Sequence, residues 1–127
     1  MIQVILDTNF LMAVSQFRID IFAEIQRICD FRYKLYIIDK TLDELKGLIE
    51  QNKGKDGRAA KLALSLIKQK HISIIKTDKD RIVDDLIMNI VNKEHIVATQ
   101  DKELKSRLKQ KNIGIISIRQ KRYLKLE

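Results

Sequence analysis

The 127-residue chain predicts an α/β fold of three layers, a mainly parallel five-stranded sheet with helices on both faces. Three observations carry this. Short aliphatic and β-branched runs alternate with longer segments of helical periodicity along the whole chain. Strands alternating with helices build parallel sheets sandwiched by helices. Acidic residues recur where strands give way to helices, and in such a sheet those transitions share one edge, where open α/β sheets bind ligands.

The first strand is read at Ile2–Leu6, and it stops at Asp7. Asp7 serves equally as a ligand at a strand end or, with Thr8, as a cap for the next helix. Phe10 to Val14 starts that helix against the sheet. Ile19, Phe22, Ile25, Ile28 and Cys29 then recur at helical spacing, which predicts an amphipathic helix over 19–30 with Asp20 and Glu24 solvated. A second strand covers 34–38. The next helix spans 41–51 with Leu42, Leu45, Leu48 and Ile49 inward. Thr41-Leu-Asp-Glu44 matches a capping box, in which Glu44 would reach back to the N-cap amide. A site at the strand end needs a carboxylate at the same place, so both readings fit Glu44.

Residues 52–58, with Gly54 and Gly57 among lysines, read as a polar loop and the most mobile segment. Helix returns over 59–70 and a third strand over 72–76. A helix over 82–94 turns Leu86, Ile87, Ile90 and Val91 inward, with Asp80 as an alternative cap. At 100° per residue Asp84 lies near the edge of the buried stripe and Asp85 nearly opposite to it. A fourth strand over 96–99 leads to Asp101, a ligand or the cap of a basic helix. A fifth strand covers 113–118, and 119–127 reads as a basic C-terminal tail anchored by Tyr123, Leu124 and Leu126.

One domain over 1–127 follows from the length, which suffices for a real core. Hydrophobic residues at 45% and charged residues at 33% indicate a soluble globular class. No apolar run reaches a membrane span and no signal peptide is evident, so the expectation is a cytoplasmic protein with no membrane partner. The single Cys29 excludes an internal disulfide and fits a reducing compartment. The net charge of +8 favours an anionic partner, nucleic acid first, although solubility alone also accounts for surface lysines. Basic residues crowd the second half, including Lys102, Lys105, Arg107, Lys109, Lys111, Arg119, Lys121, Arg122 and Lys125.

The topology turns four scattered acids into one constellation: Asp7, Glu44, Asp84 and Asp101 at four successive strand-to-helix transitions. Converging carboxylates repel and raise one another's pKa unless cations compensate. Hard oxygen donors without paired Cys or His suit Mg²⁺ or Mn²⁺. The residue types disfavour zinc, because His71 and His95 are far apart in polar contexts. A carboxylate-held metal beside a basic surface points to phosphodiester chemistry.

Leu6-Asp7-Thr8-Asn9, Thr41-Leu42-Asp43-Glu44-Leu45, Val83-Asp84-Asp85-Leu86-Ile87 and Val97-Ala98-Thr99-Gln100-Asp101 occur in order over nearly the whole chain. This set resembles the PIN-domain nucleases, which implies a flap-nuclease-like fold and Mg²⁺- or Mn²⁺-dependent cleavage of single-stranded RNA. Residue by residue, the resemblance makes Asp7, Glu44, Asp84 and Asp101 the acidic quartet. Asp7 and Asp84 become the main metal ligands, with Thr8, Asn9 and Thr99 in support. The 96–108 segment, the 115–122 segment and the paired Asp84-Asp85 are similar to the nucleases of small-subunit ribosomal RNA processing and their short archaeal, VapC-type relatives. That implies either a toxin with an antitoxin partner or a processing nuclease with a ribosome-assembly partner, and in either case a possible homodimer. Lys102, Lys105, Arg107, Arg119 and Arg122 would hold the RNA backbone, and Tyr123 would stack on a base or pack. A non-catalytic RNA-binding domain is the alternative. Asn9 sets the chain apart from Asp-x-Asp phosphatases.

Overall fold

Strand β1 (Ile2–Leu6) forms the middle of the sheet because both of its faces are covered. Val4 and Leu6 point into one hydrophobic core and Ile5 into another, and all three are fully buried. This alternation is what a period-two strand between two helical layers requires. The computed structural model describes residues 1–51, 54–69 and 72–127.

Helices α1 (Thr8–Phe17), α2 (Ile21–Ile28), α3 (Asp39–Gln51) and α4 (Lys55–Gln69) lie on the Val4–Leu6 side. Phe10, Leu11, Ile21, Ile25, Leu45 and Ala63 fill that core. Helices α5 (Val83–Ile90) and α6 (Lys102–Gln110) cover the Ile5 side through Leu86, Ile87, Leu104 and Leu108. The strands β2 (Tyr33–Ile38), β3 (Ser73–Ile75), β4 (His95–Ala98), β5 (Gly114–Arg119) and β6 (Tyr123–Leu126) complete the order β3-β2-β1-β4-β5-β6. All neighbours run parallel except β5 and β6. The fold is therefore α/β with three layers, but among the described residues the sheet has six strands rather than five.

The sixth strand corrects the reading of 119–127 as a tail. The chain reverses after Arg119 through Gln120 and Lys121, both at positive φ (53° and 57°), and the Arg122 amide donates to the Arg119 carbonyl at 3.1 Å. Hairpin turns of this hand favour Asn-Gly, so Gln-Lys carries no local signal for one. The outer edge of β6 is occupied by side chains of α2: the Leu124 amide donates to Glu24 and its carbonyl accepts from Arg27, each at 2.9 Å. Glu24 is thus a strand-edge partner rather than a solvated residue, and Asp20 caps α2 by accepting from the Ala23 amide.

Several helix boundaries also shift, and α2 covers Ile21–Ile28 rather than 19–30. Helix α3 starts at Asp39, so Thr41 lies inside it and the expected capping box does not form. Helix α4 starts at Lys55, which makes Gly57 a buried helical residue. Residues 55–58 of the expected loop are therefore helical, and its Asn52 and Lys53 lie outside the described residues. So do Lys70, expected to end α4, and His71. Helix α5 ends at Ile90 because Val91 is extended (φ −74°, ψ 145°). His95 is buried, and its Nδ1 accepts from the Asn92 amide at 3.0 Å. Among the described residues no helix is long and apolar enough to cross a membrane.

Candidate active site

The register of β1 and β4 pairs Leu6 with Ala98, which brings Asp7 and Thr99 level at the carboxyl end of the sheet. The Asp7 amide completes the ladder by donating to the Ala98 carbonyl at 2.9 Å. Its side chain then begins α1, where Oδ1 accepts from the Thr8 amide at 2.9 Å. Oδ2 accepts from the Thr99 hydroxyl at 2.7 Å. Cap and site residue are thus one and the same carboxylate, 2% exposed.

Thr8 links this strand end to α3. Its hydroxyl oxygen lies 2.6 Å from Glu44 Oε1 and 3.0 Å from Thr41 Oγ1. A hydroxyl has one proton and a carboxylate only accepts, so Thr8 donates to Glu44 and accepts from Thr41. Thr41 is wholly buried and holds the pair from behind.

A cleft of about 690 Å³ opens over these residues, lined among others by Asp7, Thr8, Asn9, Glu44, Leu48 and Asp84. Helix α3 forms one wall with Glu44, Gly47, Leu48 and Gln51, and Ile82, Val83 and Asp84 form another. Asn9 is exposed at the rim, and its Oδ1 accepts from the Gln100 amide at 3.3 Å.

Asp101 does not line this cleft. It caps α6, accepting from the Leu104 amide at 2.8 Å. Its own amide donates to Thr99 Oγ1 at 3.1 Å, so Thr99 joins the Asp7 and Asp101 positions with one side chain. Asp101 also stands near enough to Asp84 to act on its charge. Asp85 turns away into an ion pair with Arg107 at 2.8 Å. The pair places Arg107 beside the acids with its side chain still 38% exposed. Lys102, Lys105 and Lys109 share one face of α6 by their spacing, and Arg119 at the end of β5 adds a fourth charge to Lys105. Arg122 is exposed on the β5–β6 turn, where Tyr123 is also partly exposed.

The electrostatics single out Asp7. Burial pushes its pKa up to about 6, and the charges of Asp84 and Glu44 add to the rise against the bonds from Thr99 and Thr8. Burial also raises Asp84, as does Asp101, while Arg107 opposes the rise. Three hard-oxygen carboxylates on one cleft, two of them held above their ordinary range, suit a divalent cation and no soft metal. Among the described residues, however, no three His, Cys, Asp or Glu side chains stand close enough to hold an ion between them as placed. The cleft therefore supplies the donor chemistry, and ligation requires the carboxylates to rotate toward one another.

Asp39 is a further acidic residue at this edge that the sequence motifs do not single out. It directly follows β2 and accepts from the Thr77 amide at 2.9 Å and the Thr77 hydroxyl at 2.6 Å. The rule that singled out Asp7, an acid immediately after a strand, applies to it equally. The capping-box pattern drew attention five residues too far along the chain.

Residues 4–121 match the family described as PIN like domain. The chain is 34% identical to Ribonuclease VapC4 of Methanocaldococcus jannaschii over 130 aligned residues, covering 99% of this chain and 97% of that one. It is 29% identical to Ribonuclease VapC9 of Archaeoglobus fulgidus over 113 residues, covering 87% of this chain and 78% of the relative. The backbone matches the solved structure of the PIN domain endonuclease Utp24 with a TM-score of 0.82 at 29% identity, over 98% of this chain and 90% of that one.

Proposed function

The chain belongs to the PIN like domain family, and from that premise we propose that it is an Mg²⁺- or Mn²⁺-dependent endoribonuclease acting on single-stranded RNA. The observation that carries the proposal is Asp7: a buried carboxylate at the carboxyl end of the central strand, raised to about 6 by burial and by two negative neighbours. Such a cluster is costly to keep unless a cation compensates it.

Asp7 and Asp84 are the proposed ligands, with Glu44 and Asp101 completing the shell directly or through water. When bound, the divalent ion lowers the pKa of a water and offsets charge on the phosphoryl oxygens. Thr99 and the Thr8 amide hold the two Asp7 oxygens in the metal-free state. Thr8 fixes Glu44 in the same way. Asn9 at the rim is a supporting polar residue, its Oδ1 accepting from the Gln100 amide. Lys102, Lys105, Arg107 and Arg119 carry the RNA backbone past the cleft, with Arg122 beyond them on the turn.

The VapC-named relatives support a toxin role with an antitoxin partner, and a cytoplasmic homodimer is part of the same proposed reading. The likeness to the PIN domain endonuclease Utp24 supports the endonuclease reading, and ribosomal RNA processing with an assembly partner is the second role proposed. Expression without the neighbouring gene separates them: a toxin arrests growth and is rescued by its antitoxin, whereas a processing nuclease does neither. For the chemistry, single-stranded RNA is incubated with Mn²⁺ or Mg²⁺ and wild type, Asp7→Asn or Asp84→Asn protein. Loss of cleavage in both variants is expected. Equal cleavage in all three would overturn the site, and cellular activity unchanged in Asp7→Asn would favour a non-catalytic RNA-binding domain.

A further inference from the structure

The two walls of the cleft come from segments that are distant in sequence, and three polar contacts join them outside the acidic cluster. Asp39, the first residue of α3, accepts from its neighbour Lys40's amide at 2.9 Å and from the amide and hydroxyl of Thr77. Lys40 Nζ donates to the Arg81 carbonyl. Lys79 pairs with Asp43 at 2.8 Å. Residues 39, 40 and 43 of α3 are thus fastened to residues 77, 81 and 79 of the stretch between β3 and α5.

That stretch has no regular structure of its own over 76–82. Its last residue, Ile82, is 63% exposed and begins α5 without a side-chain cap. Few apolar contacts hold it, so hydrogen bonds decide where it lies. The stretch delivers Asp84 to one wall, while α3 delivers Glu44 to the other.

The three contacts differ in strength. Lys79 and Asp43 are about half exposed, which makes their pair a weak tie. The Lys40 contact uses a flexible, exposed side chain. Asp39 is different, since it uses both carboxylate oxygens against a backbone amide and a hydroxyl. Burial pushes its pKa up, yet the bonds from Thr77 and Lys40 outweigh this and hold the carboxyl below its usual range. The Thr77 hydroxyl also accepts from the Lys79 amide at 3.2 Å, which closes the turn that the stretch begins with.

We infer that Asp39 is a positioning residue of the active site: through Thr77 it sets the separation of Glu44 and Asp84, and it touches neither substrate nor metal. This rests on the proposed nuclease reading for its consequence but not for its geometry. Asp39→Asn replaces one acceptor oxygen by a donor and cannot receive both Thr77 bonds. Thr77→Val removes the hydroxyl, and Thr77→Ser keeps it.

The test is a double-mutant cycle on RNA cleavage with Mn²⁺, using wild type, Asp39→Asn, Glu44→Gln and the double variant, each checked for folding by circular dichroism. Asp39→Asn is expected to lower kcat roughly tenfold with KM little changed, because small displacements of catalytic groups are costly. In the Glu44→Gln background the same change is expected to cost about twofold or less, since the distance it sets no longer matters. Thr77→Val should follow Asp39→Asn, and Thr77→Ser should follow wild type. Equal fold losses in both Glu44 backgrounds would overturn the inference, because a residue that merely supports the fold acts additively.

Amide hydrogen exchange provides the readout free of activity. Asp39→Asn should speed exchange across 77–82 and the first turn of α3 while leaving β4 and β5 unchanged. Unchanged protection in 77–82 overturns the clasp whatever the enzyme does. If wild type cleaves no RNA but exchange responds as expected, the nuclease reading fails and the clasp stands.

Discussion

The Thr99 hydroxyl donates to Asp7 Oδ2 at 2.7 Å across the seam of β1 and β4, while it accepts the Asp101 amide at 3.1 Å. A wholly buried threonine therefore spends its one proton on the most perturbed acid of the cleft. This bond lowers the Asp7 pKa against burial, so its removal must raise that pKa further. Thr99→Val is expected to lose about 1.5–3 kcal/mol of stability at pH 8, where Asp7 is ionised, and less at pH 5. Chemical denaturation at the two pH values checks this. A loss independent of pH would mean that the bond does not favour the ionised form.

Asp7 itself destabilises the metal-free fold at neutral pH. Its folded pKa of about 6 lies above that of an unfolded aspartate. The native state therefore binds more protons than the unfolded state between those two values. Stability falls as pH rises through this window and stays lowered above it. Asp7→Asn does not titrate, so with a chelator present it should gain roughly 2–3 kcal/mol relative to wild type between pH 4 and pH 7 and hold that gain above it. Thermal melts across that range read the gap directly. A constant difference from pH 4 to pH 8 would contradict the raised pKa.

How far the sequence reached depended on the range of the interaction. The alternation of Val4, Ile5 and Leu6 between two cores is a local, period-two property, and β1 was legible for that reason. Placing Asp7, Glu44 and Asp84 on one cleft needed only the rule that parallel strands end on a common edge. The Thr8–Glu44 bond joins residues 36 apart, and no local pattern encodes it. The Thr41–Glu44 spacing matched a capping box so well that it concealed Asp39 as the true first residue of α3. Strand β6 was hidden because its turn places Gln120 and Lys121 at positive φ, where glycine or asparagine would have marked it.

The neighbours Asp84 and Asp85 should separate sharply in assay. Asp84 lines the cleft, whereas Asp85 holds Arg107 at 2.8 Å. Asp84→Asn is expected to reduce Mn²⁺-dependent RNA cleavage by roughly a hundredfold or more, the scale of losing an electrostatic group that acts on the transition state. Asp85→Asn should cost about tenfold or less. Arg107 lowers the Asp84 pKa, so Arg107→Gln should move the acid limb of the pH–rate profile upward. A larger loss at Asp85 than at Asp84 would reverse the assignment.

Lys105 carries a prediction of opposite signs for stability and binding. Burial lowers its pKa, and the charges of Arg119, Lys109 and Lys102 lower it further. Four cations gathered against their mutual repulsion cost stability, and an arriving phosphate relieves that cost. Lys105→Gln is therefore expected to raise the melting temperature slightly while weakening RNA binding several-fold. The slope of log K against log salt should fall by about 0.7, the value for one lost contact to a single strand. The kcat at saturating RNA should hold, because Lys105 does not line the cleft. Melting curves and binding titrations at four salt concentrations give both quantities. An unchanged salt slope would remove Lys105 from the RNA path, and a lowered melting temperature would show that its methylene packing outweighs the repulsion.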